Sequence, residues 1–360
     1  MPLMKDTAIR LLDTLTQAHG APGFEGDVRA LFELELSGLP VSTDPLGNTV
    51  ATLEGSGQGP RVMVTGHFDE VGFLVQAITD RGLIKFISNG GWWSHTLLAQ
   101  RVRIQTALNG EILGVIGSTP VHFLNESDRN RVMPLEQMFI DIGATSRDDV
   151  ETFGIRPGDP VVPEAGFTRL ANPNWLMSKA FDNRVGIAAT IQTLQHFQNH
   201  PLPCQLFGTG TVQEEIGARG AMTVANRIQP DVALVMEGSP ADDGPGMDLS
   251  LAQGRVGAGV QIRLADATAI MDRPLAHLAI ETAKQEGIPY QIAVRSRGGT
   301  DARSFQAAQQ GTRAIVLGVP ARYIHTHNAL IHVDDYLATV RLAIALVNRL
   351  DQSTFDSLSH

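Results

Sequence analysis

The chain has 360 residues, of which 43% are hydrophobic and 18% charged, and its formal net charge is -10. This composition is typical of a globular protein large enough for about two domains, and the net negative charge argues against a nucleic-acid partner because phosphates would be repelled. The single cysteine, Cys204, excludes an intrachain disulfide and a thiolate metal cluster. No uncharged apolar stretch is long enough to span a bilayer, and residues 1–6 lack the pattern of a secretion signal, so we expect a cytoplasmic protein.

The N-terminal part of the chain predicts two helices followed by short strands. Apolar residues recur at helical spacing between Thr7 and Leu36, with a turn-rich break at residues 19–26. The stretch Asp44–Asn48 predicts a tight connection between two strands. A further strand at residues 61–65 leads directly into Gly66-His67-Phe68-Asp69-Glu70.

Between residues 71 and 162 the pattern changes to short alternating runs separated by glycines, as in Leu83–Ile87 and Gly110–Ile116. Such runs predict a small β-barrel or sandwich. The one convincing helix signal in this stretch is Ser146, a suitable N-cap for the residues that follow it. We therefore predict a discontinuous α/β domain, formed by residues 1–70 and 163–360, with an inserted β module of residues 71–162.

After Pro163 the predicted strands and helices alternate. Strands are expected at residues 205–212, 232–236, 291–294 and 314–317, and helices follow Asp182 and cover residues 274–286. This alternation predicts a sheet with helices on both faces.

Acidic residues and histidines follow four of the predicted strands. Ligands of open α/β sheets bind beyond the carboxyl ends of the strands, so these side chains are expected to meet at one edge. Asp182, at the start of a predicted helix, adds a fifth position. Two histidines with three carboxylates suit zinc, cobalt or manganese in a two-metal site. The candidates are His67 and Asp69, Glu214 and Glu215, Glu237, and His325.

Each of these motifs is weak when taken alone. A Glu-Glu pair usually lies on a solvated helix surface, and a lone histidine is usually structural or exposed. In a metal site, one carboxylate of the pair Glu214-Glu215 can bind an ion while the other stands over the water that the ion activates. Asp69, two residues after His67 in extended chain, is placed to orient that ring by a hydrogen bond. His327 competes with His325 for the same ligand role.

The motifs together resemble the tetrahedral (TET) aminopeptidase family, which includes glutamyl and deblocking aminopeptidases and proteins once labelled cellulase-like. The resemblance covers nearly the whole chain. It implies a mixed sheet flanked by helices, as in zinc aminopeptidases, with an inserted small β-barrel for oligomerisation and a hollow dodecamer as the assembly. The motifs are Gly23–Glu25, Asp44–Asn48, Gly66–Phe73, Gly114–Gly117, Gly154–Asp159, Phe181–Arg184, Gln213–Gly217, Gly298–Ala302 and Arg322–His325.

The resemblance also implies a role for each candidate residue. Asp182 bridges two divalent ions and precedes a cis peptide bond. His67 and Glu237 complete the ligands of one ion, and Glu215 and His325 complete those of the other. The position of His325 in Arg322-Tyr323-Ile324-His325 favours it over His327. Glu214 is then the general base, and Asp69 orients His67.

The implied reaction removes N-terminal residues from short peptides with a free amino terminus, with zinc as the first choice of metal and cobalt or manganese as alternatives. Alternative interpretations of the function are a carboxypeptidase or deacylase with a similar site, a glycosidase acting through two carboxylates, and a non-catalytic peptide-binding shell. A glycosidase leaves His67, Asp182 and His325 without a function. Arg297 and Arg303 either place positive charge near the pocket for the substrate's first side chain or lie on the solvated surface.

Overall fold

The computed structural model describes residues 4–55 and 59–358. Its helices and strands follow the predicted order, and the fold is the expected mixed α/β sheet with a β-barrel. The helices are α1 (Lys5–Gln17), α2 (Gly26–Glu35), α3 (Glu126–Arg129), α4 (Arg147–Thr152), α5 (Phe181–Phe197), α6 (Arg219–Ile228), α7 (Arg273–Gln285), α8 (Ala302–Ala307), α9 (Val333–Arg349) and α10 (Gln352–Ser357).

The strands divide between one large sheet and one closed barrel. They are β1 (Val41–Thr43), β2 (Thr49–Leu53), β3 (Arg61–His67), β4 (Gly72–Ile78), β5 (Ile84–Asn89), β6 (Arg101–Thr106), β7 (Gly110–Gly117), β8 (Phe139–Asp141), β9 (Pro160–Pro163), β10 (Thr168–Arg169), β11 (Trp175–Ser178), β12 (Gln205–Thr211), β13 (Val232–Pro240), β14 (Val260–Ala265), β15 (Tyr290–Val294), β16 (Arg313–Arg322) and β17 (Ala329–His332).

The large sheet runs in the order β1-β2-β12-β3-β13-β16-β17-β11-β10, and β14 joins β15 to β16. Its centre is the parallel set β12, β3, β13 and β16. These strands are buried along most of their length, as parallel strands covered on both faces must be. β13 and β16 extend several residues beyond the predicted strands because they pair with each other from Val232 and Arg313 to Pro240 and Ala321.

Alternate residues of the central strands pack against helices on opposite faces of the sheet. Val62 and Val64 of β3 belong to a core cluster that includes residues of α1, α2, α5, α7 and α9. Met63 belongs to the cluster on the other face, formed with α6 and α8. This arrangement is the predicted one, and it fixes the positions of the residues that follow each strand.

The six strands β4, β5, β8, β7, β6 and β9 close into a barrel. Its interior is a separate apolar core that includes Phe73, Phe86 and Ile140. Ser146 caps α4 by accepting a hydrogen bond from the amide of Asp149 at 3.1 Å, as predicted. The sequence left a barrel and a sandwich as alternatives for this insert, and the closed set of six strands is a barrel.

Within residues 4–55 and 59–358, no helix combines the length and hydrophobicity needed to cross a membrane.

Candidate metal centre

The carboxyl ends of the four central parallel strands bring the candidate residues to one edge of the sheet. His67 is the last residue of β3, and Glu237 lies within β13. Glu214 and Glu215 follow β12, and His325 follows β16. The edge predicted from the strand pattern is therefore the place where these side chains meet.

Two groups of three side chains form at this edge, and we call them the buried triad and the open triad. The buried triad is His67, Asp182 and Glu237. Nε2 of His67 lies 3.3 Å from Oδ1 of Asp182 and 3.4 Å from Oε1 of Glu237. Because the imidazole and Glu237 are almost fully buried, water competes little for these atoms.

The open triad is Asp182, Glu215 and His325. Nε2 of His325 lies 3.3 Å from Oδ2 of Asp182 and 3.3 Å from Oε2 of Glu215. Asp182 is thus common to both triads, with one carboxylate oxygen turned toward each histidine. In each triad, the ligand atoms lie within 4.8 Å of one another, which is close enough for a single ion to bind all three.

The start of α5 is shaped to place Asp182 between the triads. The Asp182–Asn183 peptide bond is cis, as the resemblance implies. The Asn183 side chain donates to the carbonyl of Met236 at 2.9 Å and accepts from the amide of Gly238 at 3.1 Å, which ties α5 to the strand that carries Glu237. A β-carbon at Gly238 would approach Cα of Asp182 to 2.8 Å, so only glycine permits this close packing.

Asp69 holds the segment that carries both glutamates. Its Oδ1 accepts from the amide of Glu214 at 3.0 Å, and its Oδ2 accepts from the amide of Glu215 at 2.9 Å. Toward His67, the shorter contact of Asp69 is its main-chain carbonyl, 3.0 Å from Nδ1, while Oδ1 is 3.4 Å away. The predicted contact with His67 is present, but the carboxylate mainly organises the turn that bears Glu214 and Glu215.

Glu25 supports the same turn, and the sequence assigned it no role. Its Oε1 accepts from the amides of Gly23 at 2.8 Å and Gln213 at 3.1 Å. Gln213 adopts a positive φ of 58°, so the chain turns sharply just before Glu214. The only signal for Glu25 in the sequence is its place in the motif Gly23-Phe24-Glu25.

The two candidate histidines after β16 face different neighbours. Nδ1 of His325 lies 2.9 Å from the carbonyl of Gly91, in the loop after β5 of the barrel, which leaves Nε2 for the open triad. His327 is buried, and its Nε2 lies 2.9 Å from the carbonyl of Arg101, on β6 of the barrel. The structure therefore brings His325 to the other candidate ligands and places His327 against the barrel.

The electrostatics of the two triads favour a bound cation. Burial alone would lower the pKa of His325, but the carboxylates of Glu215 and Asp182 raise it to about 11. Burial likewise opposes protonation of His67, yet hydrogen bonds to Asp182, Asp69 and Glu237 raise its pKa well above the usual value. The negative charge of the carboxylates around both imidazoles therefore favours a bound cation in each triad.

The donor set fits divalent metal ions. Burial raises the pKa of Glu237 to about 7, and it also raises that of Glu215. Glu215 Oε1 is buried and has no hydrogen-bond partner among the described residues. Imidazole nitrogens and carboxylate oxygens are ligands typical of zinc, cobalt and manganese sites. An ion in each triad would satisfy these atoms without further protein groups.

Glu214 belongs to neither triad but borders the same cavity. Burial raises its pKa well above the usual value; His67 opposes this shift, and the charge of Asp301 adds to it. A carboxylate with a raised pKa beside two candidate metal positions is well suited to accept a proton from water.

A buried ion network forms around Glu70, close in the chain to His67 and Asp69. Glu70 Oε1 accepts from Nζ of Lys179 at 2.5 Å and from Nη2 of Arg184 at 3.1 Å. Arg184 also donates to the carbonyls of Phe68 and Leu15. His19 is buried nearby, where burial and the charges of Lys179, Arg103 and Arg184 lower its pKa to about 3.

The cavity in front of the two triads has a volume of about 400 Å³. Besides the candidate ligands and Glu214, its lining includes four arginines. From the sequence, Arg297 and Arg303 could lie either near the substrate pocket or on the solvated surface. The structure places both at this cavity. The four are Arg263, Arg295, Arg297 and Arg303.

Comparison with known proteins identifies related chains over almost the full length. The model of the M42 glutamyl aminopeptidase family matches residues 47–342. The glutamyl aminopeptidase of Lactococcus lactis is 31% identical, over 94% of this chain and 95% of the relative. The lysyl aminopeptidase of Pyrococcus furiosus is 32% identical, over 96% and 98% of the two chains.

Solved structures with the same fold include proteins named as aminopeptidases or peptidases. A TET aminopeptidase from a marine sediment Thaumarchaeota archaeon superposes with a TM-score of 0.94 and 38% identity, covering 98% of this chain and 99% of its own. The TET1 peptidase of Pyrococcus horikoshii, described as assembling into a tetrahedron or a large octahedral shell, gives 0.84 and 31%, covering 94% and 99%.

Proposed function

The chain belongs to the M42 glutamyl aminopeptidase family, and we propose that it removes N-terminal residues from peptides at a dinuclear metal site with Glu214 as the general base. As a member of this family it is a peptidase and therefore a hydrolase. The family's peptidases are metal-dependent, and the two triads are where this chain offers ligands.

The observation that carries the proposal is the division of Asp182 between the two triads. Its Oδ1 is directed at His67 and its Oδ2 at His325, 3.3 Å away in each case. A carboxylate shared in this way is suited to bridge two ions. We propose that His67 and Glu237 hold one ion with Asp182, and that Glu215 and His325 hold the other. Zinc is the first candidate for both positions, with cobalt or manganese as alternatives.

When bound, the two ions would polarise the scissile carbonyl and lower the pKa of a water molecule towards neutrality. Glu214 removes a proton from the attacking water molecule as the water oxygen adds to the carbonyl carbon. It then delivers the proton to the leaving nitrogen as the C–N bond breaks. Asp69 and Glu25 hold the Gln213–Glu215 segment through its main-chain amides, which keeps Glu214 in place during the reaction.

The cavity also accounts for a restriction to chain ends. The substrate's free amino group would bind at the metal site or to a nearby carboxylate that lines the cavity. An N-acylated substrate has no free amino group to place there. This arrangement favours an aminopeptidase over a deacylase.

We further propose that residues 1–70 and 163–360 act as the catalytic domain and that residues 71–162 provide contacts for a tetrahedral dodecamer. The barrel strands β4 to β9 fall within or at the edge of this insert. Support comes from the related Pyrococcus horikoshii peptidase, which is described as a tetrahedral or octahedral assembly. Gel filtration with light scattering tests this part separately from activity.

The function is tested with chelated enzyme to which zinc, cobalt or manganese is returned. We expect hydrolysis of aminoacyl p-nitroanilides only after metal is added, and no hydrolysis of the same compounds with an acetylated amino group. Release of C-terminal residues, or cleavage of the acetylated compounds at equal rates, would favour a carboxypeptidase or deacylase instead. Activity that persists after verified metal removal would contradict the proposal.

A further inference from the structure

We propose that this cavity selects peptides whose N-terminal residue is acidic, and that Arg297 and Arg303 bind the side-chain carboxylate. The inference rests on the proposed aminopeptidase function and adds the class of substrate. The named relatives include one glutamyl and one lysyl aminopeptidase, so family membership alone does not decide the preference.

Two of the four cavity arginines are already neutralised by the protein. Arg263 pairs with Asp266 at 3.4 Å and donates to the hydroxyl of Ser239 at 2.9 Å. Arg295 pairs with Asp242 at 2.6 Å. Each of these guanidinium groups therefore has its charge balanced before a substrate arrives.

The other two arginines have no such partner. Within residues 4–55 and 59–358, neither Arg297 nor Arg303 has a carboxylate oxygen within 4.0 Å or a side-chain hydrogen bond. Both still line the cavity. Two unpaired guanidinium groups at the wall of a substrate cavity form a binding site for an anion, since guanidinium recognises carboxylates by paired hydrogen bonds.

The segment that carries these arginines is well anchored. Asp301 accepts from the hydroxyl of Thr211 at 2.5 Å, next to the turn with Glu214. Ser304 donates to the carbonyl of Ala218 at 3.0 Å. These bonds fix the backbone on both sides of Arg303. They also bring its side chain to that turn, because a β-carbon at Gly217 would lie 3.6 Å from Nη2 of Arg303.

The cavity offers a partner for both ends of an acidic N-terminal residue. The proposed metal ligands Asp182, Glu215 and Glu237 line the cavity together with the unpaired arginines. The free amino group of an N-terminal glutamate or aspartate would bind at the metal site, and its side-chain carboxylate would bind the arginines. An N-terminal lysine would bring a second positive charge against Arg297 and Arg303, which disfavours it.

A different carboxylate competes for this role. A very short peptide has its C-terminal carboxylate near the scissile bond, and the same arginines would bind it equally well on charge alone. We favour the side chain because Arg303 reaches the turn that holds Glu214 and Glu215, the place where the first residue of a substrate must lie. The two cases differ in which substrates respond to substitution.

The test uses metal-loaded full-length enzyme and pairs of substrates that differ only in charge. We expect kcat/KM to be about 10-fold or more higher for glutamyl p-nitroanilide than for glutaminyl p-nitroanilide. Arg303→Gln and Arg297→Gln should each lower this ratio several-fold, and the ratio is independent of the fraction of folded enzyme. Arg341→Gln, on a separate surface groove, is the control that should leave the ratio unchanged.

A binding experiment separates this inference from the proposed reaction. Calorimetry should show L-glutamate binding more tightly than L-glutamine, with the difference reduced in Arg303→Gln. If no anilide is hydrolysed, the aminopeptidase proposal fails and calorimetry still decides the preference. Equal binding of the two amino acids, or equal turnover of the two anilides, overturns the acidic preference. It is also overturned if Arg303→Gln affects Ala-Ala relative to Ala-Ala-amide but leaves the glutamyl ratio intact.

Discussion

The two triads share Asp182 but differ in what surrounds them. In the buried triad, the His67 side chain is 2% exposed and ends a central strand of the sheet. In the open triad, the His325 side chain is 33% exposed and follows a strand in a loop, with a positive φ of 56°. The two halves therefore differ in exposure at the histidine, since the side chains of Glu237 and Glu215 are similarly buried, at 6% and 5% exposed.

The supports of the two halves differ in the same way. His67 is positioned by Asp69, only two residues away. His325 is positioned by the carbonyl of Gly91, 234 residues distant in the chain and outside the large sheet. We therefore expect an ion in the open triad to exchange more readily and to depend on how the barrel sits against the sheet.

Removal of the shared ligand should have the largest effect. Asp182→Ala takes one oxygen from each triad, so we expect both ions to be lost and measurable hydrolysis to disappear. Elemental analysis and initial rates check this. Retention of one ion would show that Asp182 serves a single triad.

Removal of one histidine should affect one triad only. We expect His67→Ala and His325→Ala each to reduce the metal content from two ions per chain to one. During chelation of the wild type, the ion bound through His325 should leave first, and this early phase should be missing from His325→Ala. The exposed His122→Ala is the control. An unchanged metal content in His325→Ala would point to His327 instead.

Crowding of the barrel loop should have a smaller and selective effect. A β-carbon at Gly91 would lie 3.4 Å from Nδ1 of His325, and the branched side chain of Gly91→Val would press on the ring. We expect metal affinity of the open triad to fall about 10-fold, as is usual when a ligand's support is disturbed. Competition with a chromogenic chelator measures this. An equal loss in the buried triad would contradict the separate supports.

The buried His19 should contribute to the loss of stability in acid. The pKa of His19 is lowered to about 3, so the unfolded chain binds a proton on acidification below about 6.5 and the folded chain does not. This costs about 2.5 kcal/mol of stability between pH 7 and pH 4.5. His19→Leu should remove that part of the pH dependence in urea unfolding. The same slope in both proteins would show that His19 is not buried in its neutral form.

Strand pattern accounts for what the sequence predicted well. His67, Glu215, Glu237 and His325 lie near or just beyond the carboxyl ends of strands that are side by side and parallel, so their meeting at one edge is a consequence of the sheet. The order of helices and strands was predictable for the same reason, since apolar periodicity differs between the two.

Long-range and main-chain contacts account for what the sequence did not reveal. Glu25 bonds to an amide 188 residues away, and the group that orients His325 is a backbone carbonyl, which leaves no trace in residue type. The carboxylate of Asp69 was expected to orient His67, and its Oδ1 lies 3.4 Å from that ring. The sequence did not reveal that both of its oxygens also accept hydrogen bonds from the main-chain amides of Glu214 and Glu215.

The most direct test of the account is the metal content and rate of Glu214→Gln, with the exposed Glu151→Gln as its matched control. Because Glu214 belongs to neither triad, the variant should keep two ions per chain while kcat falls about 1,000-fold, as expected for loss of a general base. Two ions with normal turnover would show that another group takes the proton. Loss of an ion would show that Glu214 is a ligand.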